Sequence, residues 1–526
     1  MIPVLDSRQM RAADEAAIRG GVASATLMEN AAAGLVKTIA REFPGWRRIV
    51  VACGPGNNGG DGLAAARLLQ KAGLSARAFT LSDPDSYRGD AAVNARRARD
   101  AGIALEPLAG KRKWDEFAQA IREADGVVDA LFGTGLDRPL SGDAVHAVAA
   151  INRAVRPVVA ADVPSGLSSD DGEITGEAVR ATVTVAFAAP KLCHALPPAR
   201  RLCGKLVVHD IGIPGKLLAG KEHRLFLATA DAVRSLLPPR DPGAHKGAFG
   251  RIAIVAGSRG RIGASVLAAR GALRAGAGLV TVFCPLSFEA VVVSALPEAM
   301  TQGLPERDGA LAAPAAEVLL ERLDEFDAAV LGPGLGTAPG TVKVVETVVE
   351  RTALPLVLDA DGLNAFAGRP RTLARRKGPM AATPHPGEAG RLLGKSARDV
   401  QSDRLAAARE LSRLARCCVL LKGEASLTAT PDGRLVVNSS GTPLLATAGS
   451  GDVLAGVIGA FLAAGLAAET ATAVAAWLHG AAAERLAQLL GDAGLLSHEV
   501  ADAIPLVRRE LRHTDSGNRK GRTGNG

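Results

Sequence analysis

Residues 48–66 read RIVVACGPGNNGGDGLAAA. An apolar run of strand length, 48–53, meets a loop with five glycines, and an Ala-rich helical pattern follows from Leu63. A strand, a glycine loop and a helix in that order gather backbone N–H groups around an anion at the helix start. Glycine removes the Cβ atoms that would block that approach. No Lys-Ser/Thr of a P-loop follows. A plain turn is the competing reading; the adjacent Asn57 and Asn58, with Asp61, weigh against it because they carry side-chain oxygens to the crevice.

Outward from this loop the pattern repeats. Residues 8–41 hold helical patterns broken at Gly20-Gly21. Further short apolar runs at 76–81, 126–132, 157–163, 182–187 and 205–209 alternate with helical stretches. A second set begins at Gly250, with strands expected at 251–256, 279–283, 328–331, 356–358, 380–382 and 418–421. A hairpin, 425–430 with 434–438, turns at Pro431-Asp432-Gly433. Strands alternating with helices imply parallel sheets covered on both faces, an α/β class. Ala-rich helices close the chain from Gly451 to about Leu490.

The chain has 526 residues, too many for one core at roughly 100–200 residues per domain. Between the two sets, residues 236–243 read LLPPRDPG, a stiff Pro-rich connector. We therefore expect domains at 1–225 and 243–505, a linker at 226–242 and a disordered basic tail at 506–526. Hydrophobic residues make up 48%, enough to build two cores, and aromatics only 3%, which disfavours stacking on nucleic-acid bases. The net charge of +8 comes from scattered basic residues and implies no nucleic-acid partner. Six cysteines without a CxxC pair make neither a disulfide framework nor a zinc site. The N-terminus lacks an apolar secretory core. The longest uncharged apolar run, Val453 to Ala468, is too short for a membrane span and reads as a buried helix. The expectation is a cytoplasmic protein with no membrane partner.

Polar residues recur just where predicted strands end. Asp129 precedes ALFGTGL, and Asp162 precedes VPSGL. In open parallel sheets ligands bind outside the carboxyl ends of strands. For each aspartate alone a cap or turn is an equal reading; their joint placement favours a site.

GPGNNGGDGLAAARLL, DALFGTGL and ADVPSGL, with MRAADEAAI and LMENAA, resemble the NAD(P)H-hydrate epimerase domain over about residues 8–212. The resemblance implies a Rossmann-like α/β/α domain that interconverts R and S hydrates of NADH or NADPH. It implies potassium at Asn58, Asp129 and Ser165, and oxygen donors suit such a hard ion. For the hydrated nucleotide it implies Asn57, Asn58, Gly59, Gly60 and Asp61, then Gly133, Thr134, Gly135, Leu136, Asp137, Arg138 and Pro139, and Asp162. Epimerisation moves protons and needs an acid/base group. Asp162 is the first candidate and Lys191 its partner, although Lys191 also reads as a surface lysine.

In the second set, residues 446–456 read ATAGSGDVLAG, small residues running into an apolar helix. Its first N–H groups and its dipole favour a phosphate. An aspartate there opposes an anion, so Asp452 reads as a general base for a hydroxyl attacking phosphorus, with a helix cap as the alternative. LGPGLG at 331–336, TPHPGE at 383–388 and LKG at 421–423 also follow strands. His385, held between two prolines, favours a site.

The GSGD loop resembles the anion hole of ribokinase-like kinases. With GPGLG, TPHPGE, LKGEAS, NSSGTPLLATAGSGDVLAG, HKGAFGRIAIVAGS and GASVLAARGALRAGAGLV it resembles the ADP- or ATP-dependent NAD(P)H-hydrate dehydratases over about 243–500. The resemblance implies Asp452 as catalytic base and substrate contact. It places the anion hole at Gly449, Ser450 and Gly451, and the nucleotide at Lys422, Gly423, Glu424, Ala425, Ser426 and Gly451. Ala264, Gly334 and His385 would contact the hydrated cofactor. Magnesium would accompany ADP or ATP. Hydroxide leaves poorly; phosphorylation turns it into a phosphate whose elimination restores the ring. A ribokinase-like vitamin kinase with an N-terminal binding module is the runner-up. We also expect a homo-oligomer, by first choice a tetramer.

Overall fold

The computed structural model describes residues 1–513 apart from Asp137, Thr175, Lys221 and Glu222. The chain divides into two compact units, one of Pro3–Leu225 and the other of Met1–Ile2 with everything from Phe226 onward.

The N-terminal unit is built on a seven-stranded sheet in the order Leu105–Pro107, Ser75–Thr80, Arg48–Cys53, Gly126–Ala130, Val158–Ala161, Val183–Phe187, Lys205–His209. Neighbouring strands pair in parallel, for example Val51 opposite Val128 and Ala160 opposite Thr184. The central strands are buried throughout, as a parallel sheet covered on both faces requires. Two apolar clusters lie on its faces, one around Leu35, Leu63 and Leu69 and the other around Phe79, Phe117 and Ile121. Strand order reverses between Arg48–Cys53 and Gly126–Ala130, and their carboxyl ends form the crevice where such sheets bind ligands.

Local sequence makes that crevice tight. Gly54, Gly56 and Gly59 stand at G-x-G-x-x-G spacing, followed by the Asn57–Lys71 helix. A Cβ on Gly54 would lie 1.8 Å from the Leu131 carbonyl oxygen, and one on Gly59 would lie 1.8 Å from that of Gly54. Only glycine lets these backbones touch.

The second unit carries an eleven-stranded sheet. Seven strands are parallel, in the order Cys418–Leu421, Met380–Ala382, Leu356–Leu358, Ala328–Leu331, Arg251–Val255, Leu279–Pro285, Met300–Leu304. The expected hairpin extends the sheet as antiparallel Leu427–Ala429 and Leu435–Asn438. Here the order reverses between Arg251–Val255 and Ala328–Leu331. The helices Gly263–Ala275 and Ser450–Ala463 cover this switch point at very close range. A Cβ on Gly456 would meet the Ala268 oxygen at 1.9 Å. The Ala and Gly content of both helices permits that approach, and nearly the whole surface of Ser450–Ala463 is buried. The apolar run at 453–468 is thus a core helix and the turn after it. Among the described residues, no helix is long and apolar enough to cross a membrane.

Two expectations at the boundaries change. Residues 226–242 are not simply a linker: Leu225–Ala228 is a strand of the large sheet, and a helix, Ala230–Leu236, follows with its N-cap Thr229. The prolines at 238, 239 and 242 stop that helix rather than separate two bodies. Nor does disorder start at 506. An amphipathic helix, Ser497–His513, buries Val500, Ile504, Val507 and Leu511; residues 514–526 lie outside the described residues.

Candidate active sites

In the N-terminal unit a cleft of about 520 Å³ opens over the switch point. Asn57, Asn58, Asp61, Gly133, Thr134, Gly135, Leu136, Asp162 and Lys191 all line it. Gly59 and Gly60 are buried within the helix start behind that lining, Arg138 and Pro139 are exposed, and Asp137 lies outside the described residues.

Asp129 and Ser165 form a buried pair. The Ser165 hydroxyl donates to Asp129 Oδ1 at 2.6 Å, and its backbone N–H donates to Oδ2 at 2.8 Å. Leu131 N–H adds a third, 3.3 Å bond. Burial still dominates and pushes the Asp129 carboxyl up to about 6, because all three donors are neutral. Asn58 packs against the ALFG turn that follows Asp129: a Cβ on Gly133 would lie 3.1 Å from Asn58 Oδ1. Asn58 Nδ2 has no hydrogen-bond partner.

Lys191 is not a surface lysine; it is 1% exposed. Its ammonium donates to Asp162 Oδ1 at 2.5 Å and to the Phe187 carbonyl at 2.9 Å. Asp162 also accepts Phe187 N–H at 2.9 Å and holds a left-handed backbone, φ 62°, unusual for a residue with a side chain. A strained, buried ion pair at a strand end is typical of a working site rather than a cap.

Sequence reasoning missed Asp14 and Asp90, which line the same cleft. Burial raises the Asp14 carboxyl to about 6, with Lys191 opposing and Asp162 reinforcing the shift. Burial, then the charges of Asp162 and Asp14, raise Asp61 well above the usual carboxylate range.

In the second unit the Ser450–Ala463 helix starts at Gly449, which caps it without a side-chain bond and with φ 85°. Asp452 is the third residue of the first turn, so it is not the cap. Its carboxyl is pushed up to about 7, mainly by burial and then by Asp359, with Lys422 pulling the other way. Lys422 Nζ donates to Asp359 Oδ1 at 2.8 Å and stands 3.8 Å from Glu388 Oε2. Burial works against its charge, but these carboxylates outweigh it and hold the ammonium above its ordinary range. A Cβ on Gly451 would sit 3.3 Å from Lys422 Nζ, so the ammonium and the helix start face one point. Ser450 is buried, its hydroxyl 3.4 Å from His479 Nε2. Burial lowers that histidine to about 4, so the ring is neutral.

Around this point the other expected residues assemble in part. Gly334, φ 62°, has Ala264 Cβ 2.8 Å from where its own Cβ would stand, and its carbonyl accepts the Ser258 hydroxyl at 2.7 Å. His385 opens the Pro386–Leu393 helix; its Nδ1 accepts Gly387 N–H at 3.0 Å, and its N–H donates to Glu388 Oε2 at 2.8 Å. Burial lowers its ring pKa, although Glu388 opposes this. Gly423 and Ser426 close a tight loop through Ser426 Oγ, with Ala425 at φ 49° and Glu424 exposed between them. Asp359 and Glu388 were not anticipated. Asp359 directly follows a strand, the signal that singled out Asp129 and Asp162, and it is 1% exposed with Thr383 Oγ1 donating to it at 2.7 Å.

Two α/β sheets of mainly parallel strands, each with a glycine-lined and acid-bearing candidate site at strand carboxyl ends, define a two-site α/β enzyme. A family model described as NAD(P)H-hydrate dehydratase matches residues 252–506, and one described as YjeF-related protein N-terminus matches 24–193. A bifunctional NAD(P)H-hydrate repair enzyme of Moorella thermoacetica is 44% identical over 494 residues, 93% of each chain. One of Thermofilum pendens is 40% identical, covering 95% of this chain and 94% of that one. An ADP/ATP-dependent NAD(P)H-hydrate dehydratase from Bacillus subtilis, co-crystallised with ATP/Mg2+, is 34% identical at a TM-score of 0.49, covering 54% of this chain and 98% of that chain. The chain belongs to the family of bifunctional NAD(P)H-hydrate repair enzymes.

Proposed function

We propose that this enzyme repairs hydrated NADH and NADPH, the N-terminal unit epimerising the R and S hydrates and the C-terminal unit dehydrating the S hydrate with ADP or ATP. The observation that carries the reading is the convergence at Gly451. The Lys422 ammonium and the N-terminus of the Ser450–Ala463 helix face one point beside Asp452. That is a phosphate site with a base next to it.

Asp452, poised near neutral pH, takes the proton from the substrate hydroxyl as that oxygen attacks phosphorus. The first-turn N–H groups of Ser450 and Gly451 and the Lys422 ammonium hold the phosphoryl oxygens. Lys422, Gly423, Glu424, Ala425 and Ser426 border the adenine nucleotide; Ala264, Gly334 and His385 border the hydrated ring. The acidic surroundings of Lys422 suit magnesium, which neutralises phosphate charge when bound.

In the N-terminal unit, Asn57, Asn58, Asp61, Gly133, Thr134, Gly135 and Leu136 line the nucleotide, while Asp162 and Lys191 serve the reacting carbon. Asn58, Asp129 and Ser165 fit potassium by the chemistry of their donors: an amide oxygen, a hydroxyl and a buried carboxylate served only by neutral hydrogen-bond donors. The ion would keep Asp129 ionised. We place the enzyme in the cytoplasm and expect a homo-oligomer, a tetramer, which light scattering tests.

The reading is tested by incubating the full chain with chemically hydrated NADH and each nucleotide and following the dihydronicotinamide absorbance. Its return with ADP or ATP is expected. No return with either would overturn the dehydratase assignment.

A further inference from the structure

The hydrated carbon of NAD(P)H hydrate bears both a hydroxyl and the ring nitrogen. Inverting it through C–O cleavage takes a proton donor on the ring face the hydroxyl leaves and an acceptor on the face water enters. One residue pair on one wall of a cleft serves one face. Asp162 and Lys191 come together from the strand-end wall, locked to each other at 2.5 Å. A second acid/base group must come from another element of the cleft.

A further acid reaches the same cleft from the Ser7–Arg19 helix. Ser7, Arg11, Asp14 and Ile18 recur at helical spacing, and all line the cleft. The helix start is pinned by a reciprocal cap: Gln9 N–H donates to Asp6 Oδ1 at 2.7 Å, and Asp6 N–H donates to Gln9 Oε1 at 3.0 Å. Met10, Ala13 and Ala17 anchor its buried face. Asp14 is therefore presented on a fixed element, half-buried, at the cleft surface.

Resting on the epimerase reading above, we infer that Asp14 is a catalytic acid/base of the epimerase cleft, acting on the ring from the Ser7–Arg19 helix while the Asp162–Lys191 pair acts from the strand ends. Asp14 gives its proton to the substrate hydroxyl. The C–O bond breaks, water leaves, and the nitrogen lone pair forms the C=N⁺ bond of an iminium. Water then adds to the other face and passes its proton to Asp162. Solvent returns a proton to Asp14 and removes one from Asp162, so nothing is consumed. The surrounding Asp90 and Asp162 carboxyls suit a transient cation, against Arg11 and Lys191.

The other carboxyls fit the proton-donor role less well. Asp61 is pushed well above the usual carboxylate range by its burial, and Asp162 is tied to an ammonium. Asp14 changes charge near neutral pH, where a shuttle works best. The groups facing it are Arg11 on its own helix, Asp61 and Asp90 from the helices past the glycine loop, and Asp162 and Lys191 from the strand ends.

The test starts from the pure R hydrate with full-length enzyme and no nucleotide, and separates R from S with time. Asp14→Asn should lower kcat for R to S by about 100-fold or more, with KM little changed. It should also abolish the fall in rate that the wild type shows as pH rises and Asp14 loses the proton it must give. Asp14→Glu should restore part of the rate. Glu15→Gln, on the exposed side of the same helix, should match wild type, which separates chemistry from helix stability. In ¹⁸O-water each inversion should bring in one solvent oxygen. A wild-type pH profile in Asp14→Asn, or inversion without solvent oxygen, would overturn the inference. Failure of the wild type itself to invert the R hydrate would instead overturn the epimerase reading.

Discussion

Asp452→Asn should cost activity and add stability at once. The carboxyl lies partly buried among Asp359, Asp361 and Glu388, which lifts it from 3.8 to about 7. A group that binds its proton more tightly when folded stabilises the fold fully below its unfolded value. It loses that contribution as pH rises through the folded one. The ionised side chain therefore works against folding, increasingly from about pH 4 to about pH 7 and constantly above. At ~1.36 kcal/mol per tenfold change in affinity, the lift is worth about 4 kcal/mol at full burial, and about 2 kcal/mol for a side chain that keeps some solvent. Asparagine cannot ionise and escapes this cost. Hydrogen–deuterium exchange of the Ser450–Ala463 helix reports this unit alone. The variant should exchange more slowly than wild type at pH 8, and the gap should shrink toward pH 4. Its dehydration rate should fall by about 10²–10⁴-fold, the usual worth of a positioned base. Wild-type dehydration should fall off below pH 7. A variant no more stable than wild type at pH 8, or one that still dehydrates well, refutes the reasoning.

Lys422→Met removes the only side-chain cation seen within bonding reach of buried Asp359 among the described residues; it should destabilise the C-terminal unit by about 3 kcal/mol and raise the nucleotide KM at least tenfold, measured by exchange and by initial rates. Lys191→Met should cost the N-terminal unit about 3–5 kcal/mol by stranding Asp162, and Asp162→Asn with Lys191→Met should regain most of that stability while R-to-S conversion stays lost. Gly54→Ala drives a Cβ into the Leu131 carbonyl, so epimerisation should vanish while dehydration of pure S hydrate persists. Retained epimerisation in Gly54→Ala would mean that the loop can shift.

Strand positions were largely legible because parallel strands buried on both faces read as plain apolar runs. Arg48–Cys53, Ala328–Leu331 and Cys418–Leu421 fall where such runs do. Leu105–Pro107 and Met300–Leu304 escaped because they are edge strands, half solvated and poor in apolar residues. Leu225–Ala228 was absorbed into the expected linker because prolines follow so soon. In the sites, acids directly after strands could be found, and the same rule applied to Asp359 would have found it too. Asp14 could not be reached that way. It lies on a helix well before the glycine loop, and only folding brings it to the cleft. Lys191 illustrates the limit of type preferences: lysine is ordinarily exposed, and the carboxylate and carbonyl that let it be buried come from residues 162 and 187.

One chain carries both activities. Pure R hydrate of NADH, given to the full-length enzyme with ADP or ATP, should be converted completely to NADH, faster than R hydrate epimerises on its own. Recovery no faster than that spontaneous rate would contradict the account.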